Sequence, residues 1–233
     1  MIDCIILAGG KGTRLQSVVS DRPKPMALID QTPFLDILIA QLRSSPLCGK
    51  IILAIGYMAK QVRSRYKQPS IIFSEENMPL GTGGALKKAA LLSGTDRVLA
   101  LNGDSYLNFD LPAMLQNHLE NNADMTIAYT GIQKADRYGA LTVDEKTNRI
   151  TAFLEKKFQE SGRINGGIYL FNKGLMENQP FTGTFSLETD LFPFLLNKRL
   201  FGYPCSGAFI DIGTQESYQR AQQLLKHLTK SLS

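Results

Sequence analysis

The chain has 233 residues, 43% of them apolar and 20% charged, enough to bury roughly 70% of the surface its unfolded form exposes without disulfide or metal staples. That composition excludes a disordered chain, a collagen-like repeat and a coiled coil, and no apolar run approaches the roughly 18 residues of a membrane span. Subtracting 21 acids from 26 bases leaves a formal charge of +5; it is spread without a Lys/Arg block, and Trp is absent, so nucleic acid is a poor partner and small phosphorylated substrates fit better.

Residues 1–8 carry Asp3 where a signal peptide carries lysines, so a cytoplasmic chain with no membrane partner is expected. Within them, residues 4–8 are the first of several short apolar, β-branched runs. Thr32-Pro33 opens a helical stretch with Leu35, Leu38, Ile39 and Leu42 at helix spacing, and strand-like runs follow at 51–55 and 70–73. Residues 83–92, rich in Ala, Leu and Lys, read as a helix; 98–101 and 125–128 read as strands. From Tyr138 the texture changes: 140–143 and 150–154 flank the polar tip 144–148 like a hairpin, the kind of insertion from which substrate-binding lobes are built. A strand at 167–171 and a helix over 217–228, with Tyr218, Ala221, Leu224, Leu225 and Leu228 on one face, complete the pattern. Strands alternating with helices predict an α/β fold with a mainly parallel central sheet, and with no repeat, linker or low-complexity segment the whole chain, 1–233, reads as one domain.

The run Ile5-Ile6-Leu7 leads into Ala8-Gly9-Gly10-Lys11-Gly12-Thr13-Arg14, a glycine-rich turn at the C-terminal end of a strand, where open α/β sheets bind ligands. Glycines let backbone N–H groups approach phosphate oxygens, and Arg14 can fork onto two of them. The spacing matches neither a Rossmann fingerprint nor a Walker A loop, and alone such a turn is more often only a tight strand turn. Next, Lys24 stands between Pro23 and Pro25, which hold it in an extended, low-entropy conformation. The cysteines Cys4, Cys48 and Cys205 are odd in number and widely spaced, with no CxxC or Cys/His cluster; free buried thiols are expected. His118 and His227 fall on helix-like stretches and read as surface residues, which leaves no catalytic histidine.

Together GGKGTRL and RPKPM resemble the signature of the sugar-phosphate nucleotidyltransferases, the NDP-sugar pyrophosphorylases. The resemblance runs on through PLGTGGA (79–85), LNGD (101–104), FLEK (153–156), NGGIY (165–169) and FIDIGT (209–214). Within the family, VVSDRPKPM, GYMAKQV, PLGTGGALKKA and FIDIGTQESY most resemble the bacterial D-glycero-D-manno-heptose 1-phosphate guanylyltransferases. The resemblance implies a Rossmann-like α/β fold, with a mixed, mainly parallel sheet flanked by helices and a small β-rich sugar-binding lobe. It also implies Mg2+-dependent transfer of a nucleotidyl group from an NTP to a sugar 1-phosphate, with release of pyrophosphate. Carried over residue by residue, Arg14 and Lys24 are catalytic, and Leu7, Ala8, Gly9, Gly10, Gly12, Thr13, Glu76, Gly81 and Thr82 bind the nucleotide. Tyr138, Gly139, Glu155, Lys156, Asn165, Gly166 and Glu188 grip the sugar phosphate, and Asp104 and Asp211 hold the metal, two hard oxygen donors being the usual protein share of a magnesium site. A turn or capping role is the other reading of each aspartate, and a helix-start acid that of Glu188.

Glu76, five residues before Gly81, occupies a position that is often an amide in relatives selecting thymine or uracil; a carboxylate only accepts, matching the N1–H and amino group of guanine, though a solvent-facing acid is the plainer reading. The sugar 1-phosphate is already anionic, so no general base is required. A mannose 1-phosphate guanylyltransferase, a uridylyl- or thymidylyltransferase and a non-catalytic nucleotide-sugar sensor remain as alternatives, the last opposed by the joint presence of Lys24, Asp104 and Asp211. Subunit number, including a homo-oligomer, is left open.

Overall fold

Strand β1 (Ile2–Leu7) is buried from Ile2 to Ile6, and its side chains alternate between two hydrophobic clusters, with Ile2, Cys4 and Ile6 in one and Ile5 in the other. A strand apolar on both faces belongs inside a parallel sheet covered on both sides, and β1 is the centre of one. The structure is a computed structural model and describes residues 1–133, 139–154 and 161–230. After β1 come the glycine-rich loop, a single 3-10 turn at Lys24–Met26, and a small hairpin of β2 (Leu28–Ile29) and β3 (Thr32–Pro33). Helix α1 (Phe34–Arg43) follows directly from the extended Pro33; it buries Leu35, Leu38, Ile39 and Leu42 and carries Asp36 in its first turn and Arg43 in its last, charges that suit the helix dipole.

The chain then lays down β4 (Cys48–Ile55), α2 (Ala59–Arg65), β5 (Ile71–Glu75), α3 (Gly81–Ala90) and β6 (Arg97–Asn102). β4 and β6 pair in parallel with β1 on its two sides, and β5 pairs in parallel with β4. The order β5-β4-β1-β6 reverses direction at β1, and such a reversal opens a crevice beyond the C-terminal ends of the strands. Beyond β6 the sheet becomes mixed. After β7 (Ser105–Leu107) and α4 (Leu111–Glu120), β8 (Met125–Gln133), β9 (Ala140–Val143), β10 (Ile150–Leu154) and the long β11 (Ser161–Asn172) add antiparallel pairs, β11 lying against β6, β8 and β9. The β9–β10 hairpin is the one expected from sequence. α5 (Lys173–Asn178), a π-helical turn at Leu187–Leu191, α6 (Phe192–Leu195), β12 (Leu200–Pro204), β13 (Phe209–Asp211), α7 (Gln215–Leu224) and α8 (Lys226–Thr229) complete the chain. β12 closes the nine-stranded sheet beside β8, while β13 pairs separately with β7. No helix among the described residues is long and apolar enough to cross a membrane.

Two expectations are corrected. The C-terminal helix is two helices: the chain turns at Leu225, which keeps Leu225 and Thr229 buried while Leu224 faces outward. His118 is not a surface residue. It is 1% exposed, its Nδ1 2.9 Å from Thr126 Oγ1 and its Nε2 3.3 Å from Asn172 Oδ1, because it continues the buried stripe of Leu111 and Met114 on α4. His227 is exposed.

Candidate active site

A cleft of about 900 Å³ opens at the C-terminal ends of the parallel strands. Each element contributes the residue at its exit. The loop after β1 supplies Gly9, Gly10, Lys11, Gly12, Thr13 and Arg14; β4 ends in Gly56-Tyr57; β5 leads to Glu76, Asn77 and Met78; α3 begins at Gly81-Thr82; β6 runs into Asn102-Gly103-Asp104. Leu7, Lys24, Ser186, Glu188 and Gly213 are also in the wall.

Lys24 is the best anchored of the cations. Its backbone is not extended, as the flanking prolines predict, but opens the 3-10 turn Lys24–Met26; its side chain is 11% exposed, and Nζ donates to Asp104 Oδ2 at 2.6 Å. Gly12 makes that position possible: it adopts φ +60°, and a Cβ there would lie 2.8 Å from Lys24 Cβ. The loop and the lysine therefore pack as one unit across twelve residues of sequence. Lys11 and Arg14, in contrast, are exposed, and both line the cleft as cations without an ion pair among the described residues. They present positive charge to whatever enters.

Asp104 and Asp211 lie far apart in the chain but come together through the β7–β13 ladder, in which Asp211 is opposite Ser105 and Ile212 N donates to Asp104 O at 2.8 Å. Asp211 Oδ1 accepts from Gly213 N at 2.6 Å and from Ser217 Oγ at 3.1 Å, so it also steadies the start of α7. Asp104 keeps Oδ1 clear of hydrogen bonds among the described residues, and its side chain is 43% exposed to the cleft. The described residues hold no cluster of three or more metal-ligating side chains. Two adjacent hard carboxylates are nonetheless a donor set that fits magnesium, which keeps waters and takes substrate phosphates as its other ligands.

At the opposite wall Glu76 Oε2 accepts from Leu80 N at 2.8 Å, which fixes the carboxylate over Gly9. A Cβ on Gly9 would lie 2.8 Å from Glu76 Oε1, so glycine is needed there for the acid to reach the cleft. Thr82 turns its hydroxyl inward and accepts from Leu187 N at 2.9 Å, tying the start of α3 to the segment that carries Glu188. Ser186 caps that segment, its Oγ accepting from Glu188 N and Thr189 N.

Ala8 is buried and donates to Ala54 O, and its side chain is not part of the cleft wall. Gly139 and Asn165 lie together on the β9–β11 side, Asn165 N donating to Gly139 O at 3.1 Å. Asn165 Nδ2 donates to the hydroxyl of Tyr169 at 3.0 Å. Tyr169 is fully buried, and burial, with the negative charge of Glu188 behind it, pushes its phenol well above the usual value. Gly166 is buried, with Leu107 and Ala128 filling the space a side chain would need. Tyr138, Glu155 and Lys156 lie outside the described residues. Tyr57, Met78, Asn102 and Ser186 were not singled out from sequence. Tyr57 and Asn102 sit inside quoted motifs, and the Ser186-Leu187-Glu188 step carries a capping signal; Met78 has no local signal.

The Nucleotidyl transferase family model matches residues 3–227. The chain is 40% identical over 231 residues to the D-glycero-alpha-D-manno-heptose 1-phosphate guanylyltransferase of Aneurinibacillus thermoaerophilus, covering 97% of this chain and 99% of the relative. It is 36% identical to the protein of the same name from Campylobacter jejuni, covering 93% and 97%. Among solved structures, that of HddC from Yersinia pseudotuberculosis complexed with GMP-PN superposes with a TM-score of 0.85 at 34% identity, covering 96% of this chain and 99% of that one.

Proposed function

The chain belongs to the nucleotidyl transferase family, and from that premise we propose that it transfers the guanylyl group of GTP to a D-glycero-D-manno-heptose 1-phosphate, forming a GDP-sugar and releasing pyrophosphate. The observation that carries the reading is the convergence of the 9–14 loop, Lys24 and Asp104 on one cleft. The base and the sugar are supported by likeness to the two heptose 1-phosphate guanylyltransferases and by the acceptor-only Glu76 in the cleft wall.

In this mechanism the sugar 1-phosphate oxygen attacks the α-phosphorus of GTP, a new O–P bond forms, and the bond to the β-phosphate oxygen breaks as pyrophosphate leaves. The attacking group is already an anion, so the protein's work is positioning and charge neutralisation. Backbone N–H groups of the glycine-rich loop and the Arg14 guanidinium hold the β and γ phosphates, with Lys11 beside them. Lys24, held in place by Gly12 and two prolines, meets the charge that develops at the α-phosphate. Asp104 and Asp211 would hold Mg2+, which when bound supplies further neutralisation of the phosphate oxygens. Gly139, Glu155, Lys156, Asn165 and Glu188 take the sugar phosphate, Asn165 being aligned by Tyr169.

Incubating the protein with each of four NTPs against heptose 1-phosphate, mannose 1-phosphate and glucose 1-phosphate, with pyrophosphate release as readout, tests the assignment. GTP with the heptose substrate is expected to turn over fastest. A preference for UTP or dTTP would overturn the guanylyl reading, and a preference for mannose 1-phosphate the heptose reading.

A further inference from the structure

Cys4 and Cys48 are 44 residues apart in the chain, yet parallel pairing of β1 with β4 places Cys48 opposite Ile2, diagonal to Cys4, with Cys4 Sγ donating to Cys48 Sγ at 3.9 Å. The register between the two strands shifts between Ile2 and Cys4, an irregularity of the kind that re-aims side chains. We propose that this thiol pair is an oxidative modification site, at which hydrogen peroxide converts Cys4 and Cys48 into an intrachain disulfide.

The two sulfurs are suited to different parts. Cys48 is only half-buried, whereas Cys4 is buried, so Cys48 is the one a peroxide reaches. The hydrogen bond from the Cys4 thiol, together with the positive charge of Arg43, lowers the pKa of Cys48, while the same pairing and burial raise that of Cys4. The thiolate is the nucleophile in such chemistry. In the first step the Cys48 sulfur attacks the peroxide, an S–O bond forms, the O–O bond breaks, and water leaves. Cys4 then attacks the Cys48 sulfenic acid, the S–S bond forms, and a second water leaves. Two thiols are oxidised by two electrons and one peroxide is reduced to two waters, so no further reactant is needed. Shortening the separation from 3.9 Å to a bond of about 2.05 Å requires roughly 2 Å of sulfur movement. The pair stands at the N-terminal ends of β1 and β4, and the cleft begins at the other ends, with Leu7 and Gly56.

Cys205 is the internal control. Burial pushes its thiol up to about 12, and its sulfur points to Tyr203 O at 3.9 Å. The test treats the full chain with hydrogen peroxide, denatures it, alkylates the remaining thiols and maps the peptides by mass spectrometry. Of the three cysteines, only Cys205 should remain alkylatable. The unalkylated chain should be lighter by about 2 Da, Cys4 and Cys48 should appear as one linked peptide pair, and dithiothreitol should restore all three thiols. Cys48→Ser should abolish the link and Cys205→Ser should retain it. Three alkylatable thiols after treatment, a Cys48 sulfinic acid beside an intact Cys4 thiol, or a link to Cys205 or to a second chain would each overturn the proposal.

Discussion

Replacing Gly12 with alanine separates the role of the loop backbone from that of the charges it carries. Gly12 has φ +60°, a conformation that costs an L-residue about 1–2 kcal/mol, partly offset by about 0.4–1 kcal/mol of lost freedom in the unfolded chain. The new Cβ would stand 2.8 Å from Lys24 Cβ and 3.0 Å from its Cδ, against roughly 3.5–4 Å for ordinary carbon contacts. Lys24 lies in a short turn between two prolines and yields poorly, so an overpacking cost of about 1–3 kcal/mol is added. The sum is a loss of about 3 kcal/mol in urea unfolding, within a range of about 1–4.6 kcal/mol. If Lys24 Nζ is displaced by even part of an ångström from the α-phosphate, kcat should fall about 10- to 100-fold. Gly10→Ala is the stability control: it has no atom within 4 Å of the new Cβ and no positive φ, so its unfolding free energy should stay within about 0.5 kcal/mol of wild type. A Gly12→Ala protein with wild-type stability and turnover would refute the view that this glycine sets the position of the lysine.

Lys24→Met should lower kcat about 10²- to 10³-fold, as for loss of one preorganised charge-stabilising donor; unchanged turnover in steady-state assays would remove Lys24 from the mechanism. Asp104→Asn and Asp211→Asn should each raise the Mg2+ concentration needed for half-maximal rate, since each takes a charge from a hard-cation site; a metal titration identical to wild type in both would refute the site. Glu76→Gln should narrow the ratio of kcat/KM for GTP over UTP, by up to about 1–3 kcal/mol in discrimination; an unaltered ratio would move base recognition elsewhere. Burial holds the His118 imidazole below its free value of 6.5, so the unfolded chain takes the proton first. Stability is then full above that value and falls as the pH drops from it towards the folded pKa, by at most about 1.4 kcal/mol per pH unit. Urea unfolding of wild type and His118→Gln between about pH 7 and pH 5 should show the steeper loss in wild type; equal slopes would contradict it.

The parallel half of the sheet was legible because buried strands such as 51–55 and 98–101 are continuous apolar runs, and because a loop rich in glycine at a strand's exit is a local signal. Lys24 stands out by its place between two prolines, but its local conformation does not follow from them: the chain turns there in a 3-10 helix, packed against Gly12, instead of running extended. His118 differs from expectation because residue type alone suggests the surface, whereas its place four residues after Met114 and seven after Leu111 puts it on the inward face of α4. The approach of Cys4 to Cys48 left no trace in spacing, because it depends on which strands pair and on a register shift within that pairing. The meeting of Asp104 with Asp211 likewise needs the β7–β13 ladder, and only family resemblance anticipated it. Tyr57 and Ser186 enter the cleft through the arrangement of loops from distant parts of the chain, and neither carries charge that would single it out.

The reaction assigned to the cleft transfers a nucleotidyl rather than a phosphoryl group. GTP radiolabelled at the α-phosphorus in one reaction and at the γ-phosphorus in another, each with heptose 1-phosphate and Mg2+, decides it. Label from the α position should appear in the GDP-sugar and label from the γ position in pyrophosphate. Transfer of the γ label to the sugar phosphate, or release of γ label as inorganic phosphate with the sugar unchanged, would contradict the account.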